Sequence, residues 1–90
     1  KKSILADPFF ALAYKNLGFG YQQKGLLKKA IEETKKSIDL DPNDGHTYFN
    51  LSNMYFENKQ YDLAIICCDK TIEFGLNVDS KYLEKLKPYR

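Results

Sequence analysis

The chain has no apolar run long enough to cross a bilayer, which takes about 20 residues of helix, and no charged-then-apolar leader with a small-residue cleavage site. It has almost no net charge: 14 basic against 12 acidic residues give +2. That balance removes the electrostatic case for nucleic acid, which needs a basic face to displace counterions from phosphates. All the basic residues except Arg90 are lysines, and they alternate with acids. Histidine occurs once, at His46, with no neighbour spaced for a metal site and no nucleophile to activate. Cysteine occurs twice, and Cys67 and Cys68 are adjacent. Adjacent positions do not favour the geometry of an unstrained disulfide, and they lack the spacing of a metal or redox pair. They read as plain buried thiols of a reducing compartment, which places the chain inside the cell, in the cytoplasm. No glycine-rich phosphate loop and no Ser/His/Asp set is present, so the sequence offers no catalytic residue, no metal ligand set and no cofactor site.

What is present is repetition. "KKSILADP" at residues 1–8 returns as "KKSIDLDP" at 35–42, with six of eight letters the same and an offset of 34. At that offset Tyr14 meets Tyr48, Asn16 meets Asn50, Leu17 meets Leu51 and Tyr21 meets Tyr55. Ala30 likewise meets Ala64, Ile31 meets Ile65 and Ile38 meets Ile72, while Tyr82 and Tyr89 lie 34 beyond Tyr48 and Tyr55. A fixed period of this length is the mark of stacked supersecondary units. The opening octet looks like the tail of a unit cut from something longer.

Each unit reads as two helices. Tyr14, Leu17, Gly18 and Tyr21 share one helical face, and Leu27, Ala30, Ile31, Thr34 and Ile38 share another. Gly25 between them supplies a left-handed stop; in the second unit Lys59 takes its place, and Asn58 is expected to adopt the left-handed conformation instead. Asp41-Pro42 ends the second helix, and Asn43 or Asp44 caps the third. "DLDPNDG" at 39–45 has alternate acids like a calcium loop, but Gly45 falls one place late, Pro42 intervenes and Asn50 stands where the bidentate glutamate belongs. It reads as an interhelix turn. Helices are expected at about 9–23, 27–40, 44–57, 61–74 and 79–88, after a stub at 1–6, with no strand. Small residues at Gly18, Ser52, Ala30 and Ala64 mark where paired helices cross.

The pattern Tyr14-x-x-Leu17-Gly18-x-x-Tyr21, then Ala30, then Pro42, resembles the tetratricopeptide repeat. Tyr14 stands where the family has tryptophan, Thr34 and Cys68 where an aromatic is usual, and Leu76 where a proline closes the unit. The resemblance implies an all-α, right-handed superhelix of helix–turn–helix repeats. Its division would be the tail of a preceding repeat at 1–8, repeats at 9–42 and 43–76, and a capping helix or partial repeat at 77–90. It also implies that first helices line a concave groove and second helices form the back. The groove positions left over from the core are then Lys15, Asn16, Phe19, Gln22 and Gln23 with Leu12, and His46, Phe49, Asn50, Asn53 and Phe56 with Glu57. Ser80, Leu83, Glu84 and Lys87 follow. Amides suit the backbone of an extended peptide, aromatics its side chains, and lysine an acidic group. In the family an asparagine at the place of Asn16 and Asn50 often contacts bound peptide. Lys15 with Asn50 also resembles part of the carboxylate clamp of co-chaperones, but Phe19, Ser80 and Glu84 depart from it.

The expected function is a non-catalytic adaptor that binds a protein or peptide segment, with no nucleic acid or membrane partner. The alternative is self-assembly on copies or further repeats, or service as the binding arm of a larger enzyme or co-chaperone. Weak self-association through Phe9, Phe10 and Leu12 is expected as well.

Overall fold

The computed structural model describes residues 8–90, with the side chains of residues 8 and 9 left aside. The stub expected at 1–6 and the side chain of Phe9 lie outside that description. Helix α1 runs Pro8–Gln23, α2 Leu27–Leu40, α3 Gly45–Glu57, α4 Tyr61–Glu73 and α5 Ser80–Leu86, followed by a 3₁₀ turn over Lys87–Tyr89. There is no strand among the described residues. The fifth helix is shorter than the 79–88 expected. Pro88 has no N–H to continue the α-ladder, so the last residues tighten into the 3₁₀ turn, although Lys87 itself keeps right-handed helical dihedrals.

The same stop closes three helices. After α1, Gly25 takes φ 80°, and Leu26 N–H reaches Tyr21 O at 2.9 Å while Gly25 N–H reaches Gln22 O at 3.0 Å. This is the Schellman pattern, which satisfies orphan carbonyls through one left-handed residue. After α4, Gly75 at φ 86° repeats it, with Leu76 N–H on Thr71 O at 3.3 Å. Thus α4 ends firmly even though Leu76 stands in place of a proline. After α3 the left-handed residue is Lys59 itself, at φ 63°, with Gln60 N–H on Tyr55 O at 2.8 Å. The expectation for Asn58 is corrected: it stays right-handed at φ −85°, and its side-chain amide donates to Gln60 Oε1 at 2.7 Å. The bond pattern demands left-handed geometry one place after the cap, and Lys59 occupies that place. Lys59→Gly should therefore stabilise the fold by about 0.5–1 kcal/mol, since the side chain's left-handed strain exceeds the extra chain entropy of glycine. A lowered melting temperature would show instead that the Lys59 side chain contributes more than its backbone strain costs.

At the other ends, Asp44 caps α3 by accepting His46 N–H at 3.1 Å, and Asp79 caps α5 by accepting Lys81 N–H at 3.1 Å.

The helices pack as antiparallel pairs, α1 on α2 and α3 on α4, with α2 also lying against α3. Side-chain ties recur at the period of the sequence. Ser37 Oγ donates to Ala11 O at 2.7 Å, and 34 residues on Thr71 Oγ1 donates to Gly45 O at 3.3 Å. Ala30 and Ala64 have 0% exposure. A Cβ on Gly18 would lie 3.1 Å from Ala30 O and closer still to Thr34 Oγ1, so only glycine fits that crossing. At the matching place Ser52 Oγ donates to Ala64 O at 2.6 Å. Its hydrogen being used there, the Tyr82 hydroxyl must donate to Ser52 Oγ across 2.7 Å. One serine thus joins α3, α4 and α5.

Identical letters are not identically buried. Leu51 is 4% exposed but Leu17, its equivalent, is 48% exposed, because among the described residues α3 packs against both α2 and α4 and α1 chiefly against α2. Cys67 and Cys68 are buried free thiols. Burial, and then the neighbouring Cys68, push Cys67 up to about 11, so it is not a nucleophile at neutral pH.

Candidate functional site

Residues on the exposed side of α1 and α3 enclose a depression of about 330 Å³ lined by Phe19, Gln22, Gln23, Asn50, Asn53 and Glu57. Five of the ten candidate binding residues meet there, with Glu57, which the sequence also placed in the groove. Helical spacing explains the meeting. Gln22 and Gln23 lie three and four residues after Phe19 along α1, and Asn50, Asn53 and Glu57 follow one another at steps of three and four along α3. The two rows touch: Gln22 Nε2 donates to Glu57 Oε1 at 3.1 Å. Within α3, Asn53 Nδ2 donates to Phe49 O at 3.1 Å. Phe19 is 52% exposed and forms the apolar part of the wall.

The other five candidates sit differently. Lys15 Nζ lies 3.3 Å from Asp44 Oδ2, both side chains being half-buried. It reaches across from α1 to the cap of α3, 29 residues on. Asp44 also accepts the Thr47 hydroxyl at 2.8 Å. Burial alone would raise the Asp44 carboxyl, but the Thr47 hydroxyl and the Lys15 charge outweigh it and hold the pKa below the ordinary value. Lys15 is thus a charge already in partnership. Asn16 lines a separate depression of about 360 Å³ with Ala13, Leu17, Gly20, Tyr21 and Lys24. His46 is exposed at the start of α3.

Phe49 and Phe56 are drawn inward. Phe49 meets Tyr82 edge-on with centroids 5.5 Å apart. Phe56 meets Tyr61 at 5.3 Å, Tyr82 at 6.0 Å and Tyr89 at 6.2 Å, and Tyr61 and Tyr89 stack at 3.7 Å. That cluster, with Arg90 Nη2 on Asp69 Oδ1 at 2.9 Å, fastens the chain's last described turn to α4. Sequence reading passed over the Lys15–Asp44 pair, the Gln22–Glu57 bond and this cluster. The offset of 34 pairs Tyr61 with Leu27, which is not aromatic, so the period carries no signal for the stack.

Antiparallel helix pairs tied by the same bonds every 34 residues, with a polar depression between their first helices, define a helical-repeat scaffold. Family models described as tetratricopeptide repeat match residues 11–44 and 34–66. The chain belongs to the tetratricopeptide repeat family. It is 36% identical over 73 residues to stress-induced-phosphoprotein 1 of Caenorhabditis elegans, covering 80% of this chain and 22% of that protein. It is 29% identical over 65 residues to a probable UDP-N-acetylglucosamine–peptide N-acetylglucosaminyltransferase SPINDLY of Oryza sativa subsp. japonica, covering 72% of this chain and 7% of that one. Among solved structures it is similar to the first tetratricopeptide-repeat domain of Spaghetti (RPAP3) bound to the HSP90 peptide SRMEEVD. The TM-score there is 0.75 at 28% identity, over 79% of this chain and 56% of that one. The chain thus spans about a fifth or less of the length of these curated relatives.

Proposed function

We propose that this chain is a non-catalytic adaptor module whose groove between α1 and α3 holds an extended peptide or protein segment, one that carries an acidic group. The observation that carries the reading is the depression itself: amides from two helices beside an exposed Phe19. The peptide-bound state of the similar RPAP3 domain supports it. Asn50 and Asn53 offer donors and acceptors to a peptide backbone, and Lys15, at the start of the same wall, meets the acidic group by exchanging Asp44 for it. The units are then 9–42 and 43–76, with 77–90 as a cap, and the setting is intracellular. The similarity to SPINDLY, a transferase by name, fits service as the binding arm of a larger enzyme equally well.

The test is selection of a random octapeptide library on the immobilised chain, followed by titration of the strongest peptide into three variants. Asn50→Ala should weaken binding by about 1–3 kcal/mol, because a desolvated backbone group loses its partner. Its stability should barely move, since Asn50 lines the open depression. Lys15→Ala should weaken binding less, and mainly at low salt. Lys36→Ala should do neither; Lys36 lies on α2 and reaches Glu33 at 3.6 Å. Equal losses from Asn50→Ala and Lys36→Ala would place binding elsewhere.

A second reading, self-association, has its own observation. Along α1, Phe10 and Leu12, named for this from the sequence, are 46% and 52% exposed, and Leu17 is 48% exposed in the depression that holds Asn16. Exposed apolar side chains gathered on one helix recruit partners. Sedimentation should show weak, concentration-dependent dimers; a strict monomer at high concentration would remove this reading.

A further inference from the structure

Of the six side chains that line the groove depression, only Glu57 is charged. Its hydrogen-bond partner is a neutral amide, Gln22 Nε2 at 3.1 Å, and both groups are exposed. No cation pairs with it among the described residues. A concave wall concentrates the field of such a charge. Two helical turns earlier on the same wall stands Lys15, whose positive charge is partly spent on Asp44 at 3.3 Å. Lys15, Phe19 and Gln22 fall at i, i+4 and i+7, one stripe of α1, and Gln22 hands that stripe to Glu57. The wall therefore reads cation, aromatic, carboxylate: Lys15 Nζ rests on Asp44, and Glu57 lies at the far end of α3 from Asp44, a helical rise of about 20 Å. An extended chain spans that length with about six residues.

We propose that the segment bound here is bipolar: it places its acidic group toward Lys15 and a lysine or arginine, about six residues away, against Glu57. The inference rests on the groove reading above and deepens it. The long side chain of such a residue lays its methylenes or guanidinium plane on Phe19, which is 52% exposed and open to cover. Its charged head then replaces the Gln22 amide at Glu57, turning a neutral-to-charged hydrogen bond into a fully charge-assisted one. The released Gln22 amide is free to donate to a carbonyl of the segment. Because Asp44 competes for Lys15 and nothing competes for Glu57 but an amide, the basic residue is the more selective of the two ends.

The test is the octapeptide selection run on the wild-type chain, Glu57→Gln and Asn50→Ala. Wild-type selectants should carry Lys or Arg about five to seven places from Asp or Glu. Glu57→Gln should lose the basic preference and keep the acidic one. In a selected synthetic peptide, replacing the basic residue by alanine should weaken binding to the wild type about three- to tenfold, as expected for a partly screened ion pair. The same replacement should change binding to Glu57→Gln by less than about twofold, which is the coupling that isolates the pair. Far-UV circular dichroism confirms that Glu57→Gln is folded. Selectants with no basic preference, or an equal loss on both proteins, would overturn the bipolar inference and leave the groove standing. Enrichment by Asn50→Ala of the same peptides at the same affinity as wild type would overturn the groove reading, and this inference with it.

Discussion

Met54→Ala should lower the stability of the chain by about 2–5 kcal/mol, the usual cost of truncating a buried methionine. A domain of this size holds only about 5–13 kcal/mol in total, so the variant should be substantially melted in mild denaturant. Met54 is 1% exposed and stands where α2 of one pair meets α3 of the next. Its sulfur accepts the buried Thr34 hydroxyl at 3.2 Å. Alanine leaves both a cavity and a hydroxyl without its partner, and it does so at the joint between the two pairs. Met54→Leu keeps most of the volume and loses only the sulfur, so it should cost less than about 1.5 kcal/mol. Urea midpoints of the two variants separate the terms. A Met54→Ala midpoint within error of wild type would show that the two helix pairs are not held together here.

The second large effect is overpacking. Ala30→Leu and Ala64→Leu should each destabilise by about 1–3 kcal/mol. Leucine and alanine differ little in helix propensity, so the loss measures space. There is none to give. Ala64 O is 2.6 Å from Ser52 Oγ, and a Cβ on Gly18 would already crowd Ala30 O at 3.1 Å. The added carbons must push α1 from α2, or α3 from α4. An unmoved melting midpoint in both variants would mean that the helices do not cross at these alanines.

Much of this was legible because helix ends are written in single residues. Gly25, Asp41-Pro42 and Asp44 fixed three boundaries, and the offset of 34 fixed the pairing of faces. The departures come from contacts that depend on neighbours distant in sequence. Lys59 takes the left-handed place because the Schellman bonds from Gln60 to Tyr55 require it there, whatever residue is present. Asn16 and Asn50 occupy the same helical position, yet Asn50 has α1 beside it to build a depression and Asn16 opens onto another surface. Phe56 has the spacing of a groove residue, but Tyr61, Tyr82 and Tyr89 surround it with ring edges. Lys15 finds Asp44 only because the fold brings the middle of α1 to the cap of α3. The hydroxyl ties of Ser37 and Thr71 do follow the period, at positions where a buried polar residue recurs.

The most direct test of the groove is an amide-resolved nuclear magnetic resonance titration of the chain with the strongest peptide from the octapeptide selection. Shift changes should concentrate at Phe19, Gln22, Gln23, Asn50, Asn53 and Glu57, on α1 and α3, with Asn50 and Asn53 side-chain amides moving as well. Changes centred on α2 and α4, with these residues still, would contradict the account.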